Sequence, residues 1–268
     1  MSTAYLFASG KGGVGKSTVT ANLAAVLARA GHSVAVLDAD IGLRCLDAML
    51  GLENMVVYDL IDVAKGDCLL SQALLSVPDL PSLHLLPAAQ FARSKDLDVK
   101  KLRLIVNLLK KEHEFVLIDC PAGLERGLRG VLHSDVEETV LIVTPDDICI
   151  RDAERTLGLI SDKQLPRPRL IVNRLNNDLI FSREMYSAKT VSEVLDLPLL
   201  GEIPEDPAFC IAQLRHRLVT DYHCDAREAF LRIAGRMTGK DTPLPAYGES
   251  RAPFFRRHFP GKLREVSR

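Results

Sequence analysis

Several features are missing from the sequence, and each absence excludes a class of protein. None of the apolar runs in its 268 residues approaches the roughly 18 residues needed to cross a bilayer as a helix. The chain opens on a strand-like run, without a basic segment followed by a cleavage site, so we expect no secretory signal. Neither sign of charge dominates, because the net charge is −1, and this argues against a nucleic-acid protein with a uniformly basic surface. The remaining class is a soluble cytoplasmic enzyme.

Paired cysteines are also missing. No two of the six cysteines form a C-x-x-C unit, so zinc, iron–sulfur and thioredoxin-type sites lack their usual signature. We therefore expect most of them to be small buried side chains in a reducing compartment. They are Cys45, Cys68, Cys120, Cys149, Cys210 and Cys224.

The composition that is present indicates a folded α/β domain. Hydrophobic residues make up 47% and charged residues 26% of the chain, which excludes a disordered protein. Short apolar runs alternate with helical patterns, as in a mostly parallel, twisted sheet with helices on both faces. The predicted strands are Tyr5–Ala8, Val34–Asp38, Leu83–Leu86, Phe115–Asp119, Val140–Thr144, Leu170–Val172 and Leu199–Ile203. The clearest predicted helices are Ser17–Ala30, which Gly31 would cap, Lys101–Lys111 and Asp225–Met237.

The strongest motif is a phosphate-binding loop near the start of the chain. Residues 10–17 match G-x-x-x-x-G-K-[ST] between a predicted strand and a predicted helix, which is the context that this motif requires. Its glycines let backbone N–H groups point at phosphate oxygens, beside the positive end of the helix. We expect Lys16 to neutralise the β- and γ-phosphates and Ser17 to offer its hydroxyl to Mg²⁺. The residues expected to contact the nucleotide are Gly12, Gly13, Val14, Gly15, Lys16, Ser17 and Thr18.

Acidic residues end two of the apolar predicted strands. Asp38 and Asp40 follow one run, and Asp119 ends another. Ligands of open parallel sheets lie beyond the carboxyl ends of the strands, so these acids are expected to face Mg²⁺ and the γ-phosphate. Asp119 fits a Walker B-like role, and the N–H of Gly123 could approach the γ-phosphate. Either acidic strand end, taken alone, could equally cap a helix or form a turn.

The sequence also indicates which base is bound. A guanine-specific site normally carries N-K-x-D, and the chain has no such motif, so ATP is favoured over GTP. The loop that contains Asn173 and Arg174 follows a late strand, at the right place to contact a base. A second loop, with Pro204, Glu205 and Asp206, follows the next strand.

The loop and several downstream motifs resemble one family. Residues 11–18 (KGGVGKST) are similar to the deviant Walker A motif of the MinD/ParA family of P-loop ATPases. Residues 38–47 and 119–123, together with shorter motifs at 57–60, 86–90, 150–153 and 203–206, resemble the MinD branch, so the similarity covers most of residues 3–215. Cys45, where we expect Asn, departs from the pattern.

The resemblance implies roles that the residues alone do not fix. It implies that Lys11 reaches across a homodimer to the partner's nucleotide, although a solvated loop lysine is the simpler alternative. It assigns Asp40 to the attacking water and Asp38 to the outer shell of the metal. It places adenine between the two late loops. It also makes Arg44, Arg151 and Asp152 candidates for the partner interface, although Asp152 could simply favour a helix N-terminus.

The C-terminus differs from the rest of the chain. Residues 251–268 contain six basic residues and one acid, so they carry +5 and leave −6 on residues 1–250. We expect an ATPase domain over 1–238, a Pro- and Gly-containing linker over 239–253 and an amphipathic, membrane-targeting tail over 254–268, kinked at Pro260. A basic end that only aids solubility is the alternative. The expected membrane contacts are Phe254, Phe255, Arg256, Arg257, Phe259, Lys262 and Leu263.

Together these features predict a MinD-like ATPase with ATP and Mg²⁺ as cofactors. The resemblance implies that it dimerises on ATP, binds reversibly to the inner face of the cell membrane through its tail and recruits a MinC-like inhibitor that places the division septum. It also implies a MinE-like regulator that stimulates hydrolysis and releases the protein from the membrane. The alternative is a ParA-like ATPase that positions DNA or another cargo, but this would need a basic patch on a domain that carries −6. A metal-cluster carrier of the same superfamily would need the paired cysteines that are missing.

Overall fold

A computed structural model describes residues 2–92, 97–121, 136–162 and 164–245 of the chain. Its described strands form one eight-stranded sheet in the order β3-β4-β2-β5-β1-β6-β7-β8. All neighbouring strands in it are parallel except β3 and β4, which pair antiparallel at one edge. The strands are β1 Thr3–Ala8, β2 Val34–Asp38, β3 Leu75–Val77, β4 Leu80–Leu86, β5 Phe115–Asp119, β6 Glu138–Val143, β7 Arg169–Leu175 and β8 Leu199–Pro204.

Helices connect and cover the strands. Every residue of β2 and β5 is buried, and because successive side chains point to opposite faces, both faces of the sheet are covered there. The helices are α1 Lys16–Arg29, α2 Leu46–Met49, α3 Leu60–Lys65, α4 Leu70–Ala73, α5 Val99–Glu112, α6 Asp147–Asp162, α7 Asn177–Phe181, α8 Ala188–Leu195, α9 Ala208–Leu214 and α10 Asp225–Met237, with a 3₁₀ turn at Val219–Asp221.

Helix α1 is the central helix of the fold. It begins directly after the phosphate-binding loop and is buried from Val19 to Ala28. It ends in a Schellman motif: Gly31 has a φ of 92°, its N–H donates to the Ala28 carbonyl, and the N–H of His32 donates to the Leu27 carbonyl. Gly31 therefore ends the helix as the sequence predicts.

The last described helix is fixed closely to the sheet edge. A Cβ on Gly201 of β8 would lie 2.2 Å from Cγ1 of Ile233 in α10, so only glycine permits this approach. The Arg236 guanidinium donates to the carbonyls of Leu200 (2.8 Å), Thr242 (2.8 Å) and Pro243 (2.6 Å). The chain beyond α10 is thus attached to β8.

The predicted fold class is confirmed, with differences in detail. β4 begins at Leu80 and β7 continues to Leu175, both beyond the predicted bounds. Strand β3 and the short helices were not predicted. The expectation that most cysteines are buried is wrong, because only Cys120 and Cys149 are buried, while Cys45 and Cys210 are exposed. Within the described residues no helix is long and apolar enough to cross a membrane.

Candidate nucleotide-binding site

The phosphate-binding loop joins the end of β1 to the start of α1. Gly13 and Gly15 have φ values of 82° and 92°, a region that L side chains rarely adopt. Gly10 is required for a different reason, because a Cβ there would lie 2.4 Å from the backbone oxygen of Asp152 in α6. The loop is therefore shaped by its own torsions and by close packing on α6.

The end of β7 holds the loop from the other side. The Asn173 side-chain amide donates to the carbonyl of Val14 (2.8 Å), and the Arg174 guanidinium donates to the carbonyl of Gly13 (2.8 Å). A Cβ on Gly15 would lie 2.5 Å from the Asn173 nitrogen. The sequence suggested base contacts for Asn173 and Arg174, and the structure adds a contact with the loop backbone that the motif did not reveal.

The β8 loop lies beside these residues at the same edge of the sheet. Glu205 is exposed and accepts a hydrogen bond from the Asn176 side chain (3.3 Å). Asp206 accepts from the N–H groups of Ala208 (2.8 Å) and Ala226 (3.1 Å), and so ties the starts of α9 and α10 together. Its carboxylate is thus engaged in the fold, and adenine contacts by Pro204, Glu205 and Asp206 stay a prediction.

Asp119 is the centre of the site. Its carboxylate lies 2.7 Å from Nζ of Lys16 and accepts hydrogen bonds from Ser17 Oγ (2.5 Å) and Thr20 Oγ1 (3.3 Å). Lys16 and Asp119 are only 6% and 1% exposed, so this ion pair is shielded from water. The structure thereby joins three residues that the sequence assigned to phosphate and metal binding. Thr20 was missed, although its position one helical turn after Lys16 places it on the same face of α1.

Asp38 lies next to Asp119 across the β2–β5 pair and is 1% exposed. One of its oxygens accepts the N–H of Asp40 (3.0 Å), and the other has no hydrogen-bond partner in the described part of the chain. Burial, together with the charge of Asp119, raises the pKa of Asp38 to about 8. Burial also raises the pKa of Asp40, with a contribution from Asp119 and against the attraction of Lys16.

These oxygens suit a hard divalent cation bound together with phosphates. The described residues hold no ready-made cluster of three or more metal-binding side chains. Mg²⁺ seldom uses such a cage, because it is usually held by one or two carboxylates plus phosphate oxygens and water. The buried Asp38 oxygen without a partner, next to Asp119, which itself contacts Ser17, is consistent with that arrangement.

Lys11 follows Gly10 at the start of the loop. Its side chain is exposed, and it forms no hydrogen bond or ion pair with the described residues. The charge of Lys11 acts on Asp146, directly before α6. Burial alone would raise the pKa of Asp146, but hydrogen bonds from Thr144 and Cys149, together with the charge of Lys11, lower it. Lys11 is therefore near its own α6 yet is not fixed there.

The candidate interface residues have different environments. Arg44 has a φ of 38°, and its guanidinium donates a hydrogen bond to the Asp47 carboxylate (2.6 Å). Its side chain therefore packs against α2 and does not extend into solvent. Arg151 is exposed on α6, and Asp152 forms a weak pair with Arg155 (3.4 Å). Gly123 and the tail positions lie outside the described residues, so their roles stay predictions.

Comparison with known proteins identifies the family. Residues 5–219 match the CobQ/CobB/MinD/ParA nucleotide binding domain. The septum site-determining protein MinD of Synechocystis is 40% identical over 91% of this chain and 92% of its own length. The chain belongs to the MinD group of this family. The resemblance seen in the loop and in the acidic strand ends is confirmed.

Solved structures of MinD proteins have the same fold as this MinD-family chain. The structure of the MinC:MinD cell division protein complex of Aquifex aeolicus gives a TM-score of 0.82 at 35% identity, covering 92% of this chain and 100% of that one. MinD from Pyrococcus horikoshii, complexed with Mg-ADP, gives 0.78 at 31% identity, covering 88% and 96%. The family assignment thus makes this chain a nucleotide-binding ATPase of the MinD type.

Proposed function

We propose that this MinD-family protein is a Mg²⁺-dependent ATPase whose ATP-bound form is a homodimer on the inner face of the cell membrane. The dimer recruits a MinC-like inhibitor of septum formation, and a MinE-like regulator promotes its release. The observation that carries the proposal is the buried contact of Lys16 and Ser17 with Asp119, beside Asp38. It supports the proposal because the residues expected to bind phosphate and Mg²⁺ contact one another.

The residues present fit ATP and Mg²⁺. The backbone N–H groups of the loop and the positive end of α1 would hold the phosphates, and Lys16 would neutralise the charge of the β- and γ-phosphates. Ser17 and Asp119 are the candidate magnesium ligands, with Asp38 in the outer shell. When bound, Mg²⁺ would neutralise part of the negative charge on the phosphates.

Asp40 is the candidate for positioning the attacking water. It lies just beyond the carboxyl end of β2, within the electrostatic reach of Lys16 and Asp119. Its raised pKa favours a carboxylate that can accept a proton more readily than a fully exposed aspartate. Lys16 remains beside the γ-phosphate and stabilises the charge that develops there.

Lys11 supplies the link between hydrolysis and dimerisation. Lys16 already serves the phosphates of its own subunit, while Lys11 is exposed and is not fixed to the described residues. A cation in this position can enter the partner's site and act on the γ-phosphate in trans, as an arginine finger does. Loss of that phosphate then removes the attraction that holds the subunits together.

Partner and membrane binding extend the proposal beyond the active site. The Aquifex relative was solved as a MinC:MinD complex, which supports recruitment of a MinC-like inhibitor. The tail combines Phe254, Phe255 and Phe259 with clustered cations. Each cation contributes about 1 kcal/mol near an anionic leaflet, so one tail is a weak anchor, while two linked tails gain roughly 10²–10⁴-fold in avidity.

The decisive experiment replaces Lys11 with alanine. We expect Lys11→Ala to bind ADP within about threefold of the unmodified protein, to remain monomeric with ATP and to lose hydrolysis by roughly 10³-fold or more, as for a lost finger residue. Analytical ultracentrifugation with ATP and with ADP, nucleotide titration and phosphate release measure the three properties.

Lys65→Ala is the matched control, because Lys65 is an exposed lysine at the end of α3. It should dimerise and hydrolyse ATP normally. An ATP-dependent dimer of Lys11→Ala with the same dissociation constant as the unmodified protein would contradict the trans role of Lys11.

A further inference from the structure

A second cavity lies at the other end of α1 from the phosphate-binding loop. Its volume is about 590 Å³, within the roughly 300–1,000 Å³ typical of small-molecule sites. Arg29, the last residue of α1, lines it, and the length of that helix separates the cavity from Lys16 by about 20 Å. This site is therefore distinct from the nucleotide site.

Three segments that are distant in sequence form the walls. Met49–Gly51 lies at the end of α2, Val77–Leu80 contains the turn between β3 and β4, and His216–Leu218 precedes the 3₁₀ turn. Apolar side chains from each segment line the cavity: Leu50, Val77 and Leu218 are all less than 10% exposed. An apolar body of a ligand would find contacts on three sides.

Two of the lining cations are already neutralised. Arg29 pairs with Asp221 and also donates to the hydroxyl of Thr220 (3.1 Å). Arg227 pairs with Glu228 (2.8 Å). Neither arginine therefore needs a further anion.

Arg217 differs from the other two arginines that line the cavity. It is exposed, and its guanidinium forms no hydrogen bond or ion pair with the described residues. Two acids also line the cavity. Asp221 pairs with Arg29, and Asp79 already has an interaction partner. The lining thus contains an unpaired cation next to an apolar surface.

Tyr222 forms part of the cavity wall. Its side chain is fully buried, and its hydroxyl has no hydrogen-bond partner among the described residues. Because this hydroxyl is not exposed to solvent, we expect a ligand in the cavity to contact the apolar wall and Arg217 rather than the Tyr222 hydroxyl.

We propose that this cavity binds a small amphipathic organic anion, whose acidic group pairs with Arg217 and whose apolar part packs on Leu50, Val77 and Leu218. The proposal does not depend on dimerisation or membrane binding. Met49 lines the cavity and follows Asp40 closely in the sequence. A ligand in the cavity would therefore contact the end of the chain segment that begins at Asp38 and Asp40.

The test uses 8-anilinonaphthalene-1-sulfonate, a fluorescent probe with an anionic group on an apolar body. The full-length protein is titrated with the probe while saturating Mg-ADP occupies the nucleotide site, and octanoate is then added as a competitor. We expect saturable binding with one site per chain, displacement by octanoate, and at least tenfold weaker binding to Arg217→Glu. The control is Arg183→Glu, because Arg183 is exposed and does not line the cavity.

The outcomes separate the proposal from general charge effects. Circular dichroism and the unfolding temperature establish that Arg217→Glu is folded, which its exposed position favours. Equal probe affinity for Arg217→Glu and the unmodified protein would overturn the proposal. An equal loss in Arg183→Glu, or the absence of saturable binding in the unmodified protein, would overturn it as well.

Discussion

Asp38 is a buried carboxylate with one hydrogen-bonded oxygen and one oxygen without a partner in the described chain. Its pKa is raised from the ordinary value of 3.8 to about 8 by burial and by Asp119. Between about pH 4 and pH 8 the folded protein therefore holds a proton that the unfolded chain releases. Stability falls as the pH rises through this window, because deprotonation favours the unfolded state.

We predict that Asp38→Asn stabilises the nucleotide-free protein, and that the gain is larger at pH 8 than at pH 5. The amide keeps the size of the side chain but cannot acquire a charge. The substitution removes the loss of folding stability that comes from the raised pKa of Asp38. That loss grows by up to about 1.4 kcal/mol for each pH unit within the window. Urea unfolding at the two pH values measures the difference.

Asp67→Asn, at an exposed aspartate, serves as the control for the loss of one acidic group. It should change the stability by less than about 0.5 kcal/mol at both pH values. A gain for Asp38→Asn that does not depend on pH would show that Asp38 is already ionised in the folded protein at pH 5.

Individual residues of the site could be predicted from the sequence where they belong to a known motif. Lys16, Ser17 and Asp119 follow from the loop pattern and from an acid at a strand end, and the structure brings these three together. Thr20 belongs to no motif, and the hydrogen bonds from Asn173 and Arg174 to the loop backbone depend on how β7 lies against it. Such contacts arise from tertiary packing, which spacing along one chain does not encode.

At the level of elements, the loop and α6 are packed together without space for a methyl group. A Cβ on Gly10 would lie 2.4 Å from the backbone oxygen of Asp152 and 2.9 Å from Oγ1 of Thr156. Because the first of these atoms belongs to the backbone, α6 or the loop would have to move. The geometry of the phosphate site and the position of α6 are therefore linked.

We predict that Gly10→Ala destabilises the protein by about 1–3 kcal/mol, as expected when a tightly packed interface is overfilled. It should also weaken ADP binding by tenfold or more, since the displaced loop no longer presents its N–H groups correctly. Urea unfolding and an ADP titration test the two effects.

Gly158→Ala is the control on the same helix. Nothing lies within 4 Å of its added Cβ, so the change should be neutral or stabilising by up to about 1 kcal/mol and should leave ADP binding unchanged. If Gly10→Ala bound ADP as well as Gly158→Ala does, the link between α6 and the site would be wrong.

Long, regular elements were predicted well because their patterns repeat. Asp225–Met237 has its predicted bounds, and strands β2 and β5, which are apolar up to a final aspartate, also have theirs. Strand β3 has three residues, and α2 has four. Neither is long enough to show a repeating pattern of apolar residues. Their conformations are instead determined by packing against the rest of the fold, which the sequence pattern does not reveal.

The whole molecule is divided by charge. Residues 1–250 carry −6 and residues 251–268 carry +5, although the total is only −1. An anionic membrane would attract the basic end and repel the larger acidic part. Under the proposed function, two basic ends in one dimer bind such a membrane more tightly than one, so membrane affinity is expected to follow the oligomeric state.

We predict that ATP increases cosedimentation with anionic phosphatidylglycerol vesicles by at least tenfold relative to ADP, because roughly 10²–10⁴-fold avidity is available to linked tails. Phe255→Glu should abolish most of this increase while ATP-dependent dimerisation persists in ultracentrifugation. The two measurements together separate tail binding from subunit association.

Phe181→Ala alters a partly exposed phenylalanine in the folded domain and provides the comparison. It should sediment like the unmodified protein. Identical sedimentation with ATP and ADP would mean that membrane binding does not follow nucleotide state.

The three carbonyl contacts of Arg236 have a mechanical consequence. They fasten Thr242 and Pro243 to the strand at the sheet edge, next to the glycine contact that seats α10 on β8. Tension on the chain after Pro243 would act first on these hydrogen bonds, which join α10 and β8 through one guanidinium. Under the proposed function, a membrane-bound tail would therefore load the last described helix and the sheet edge together.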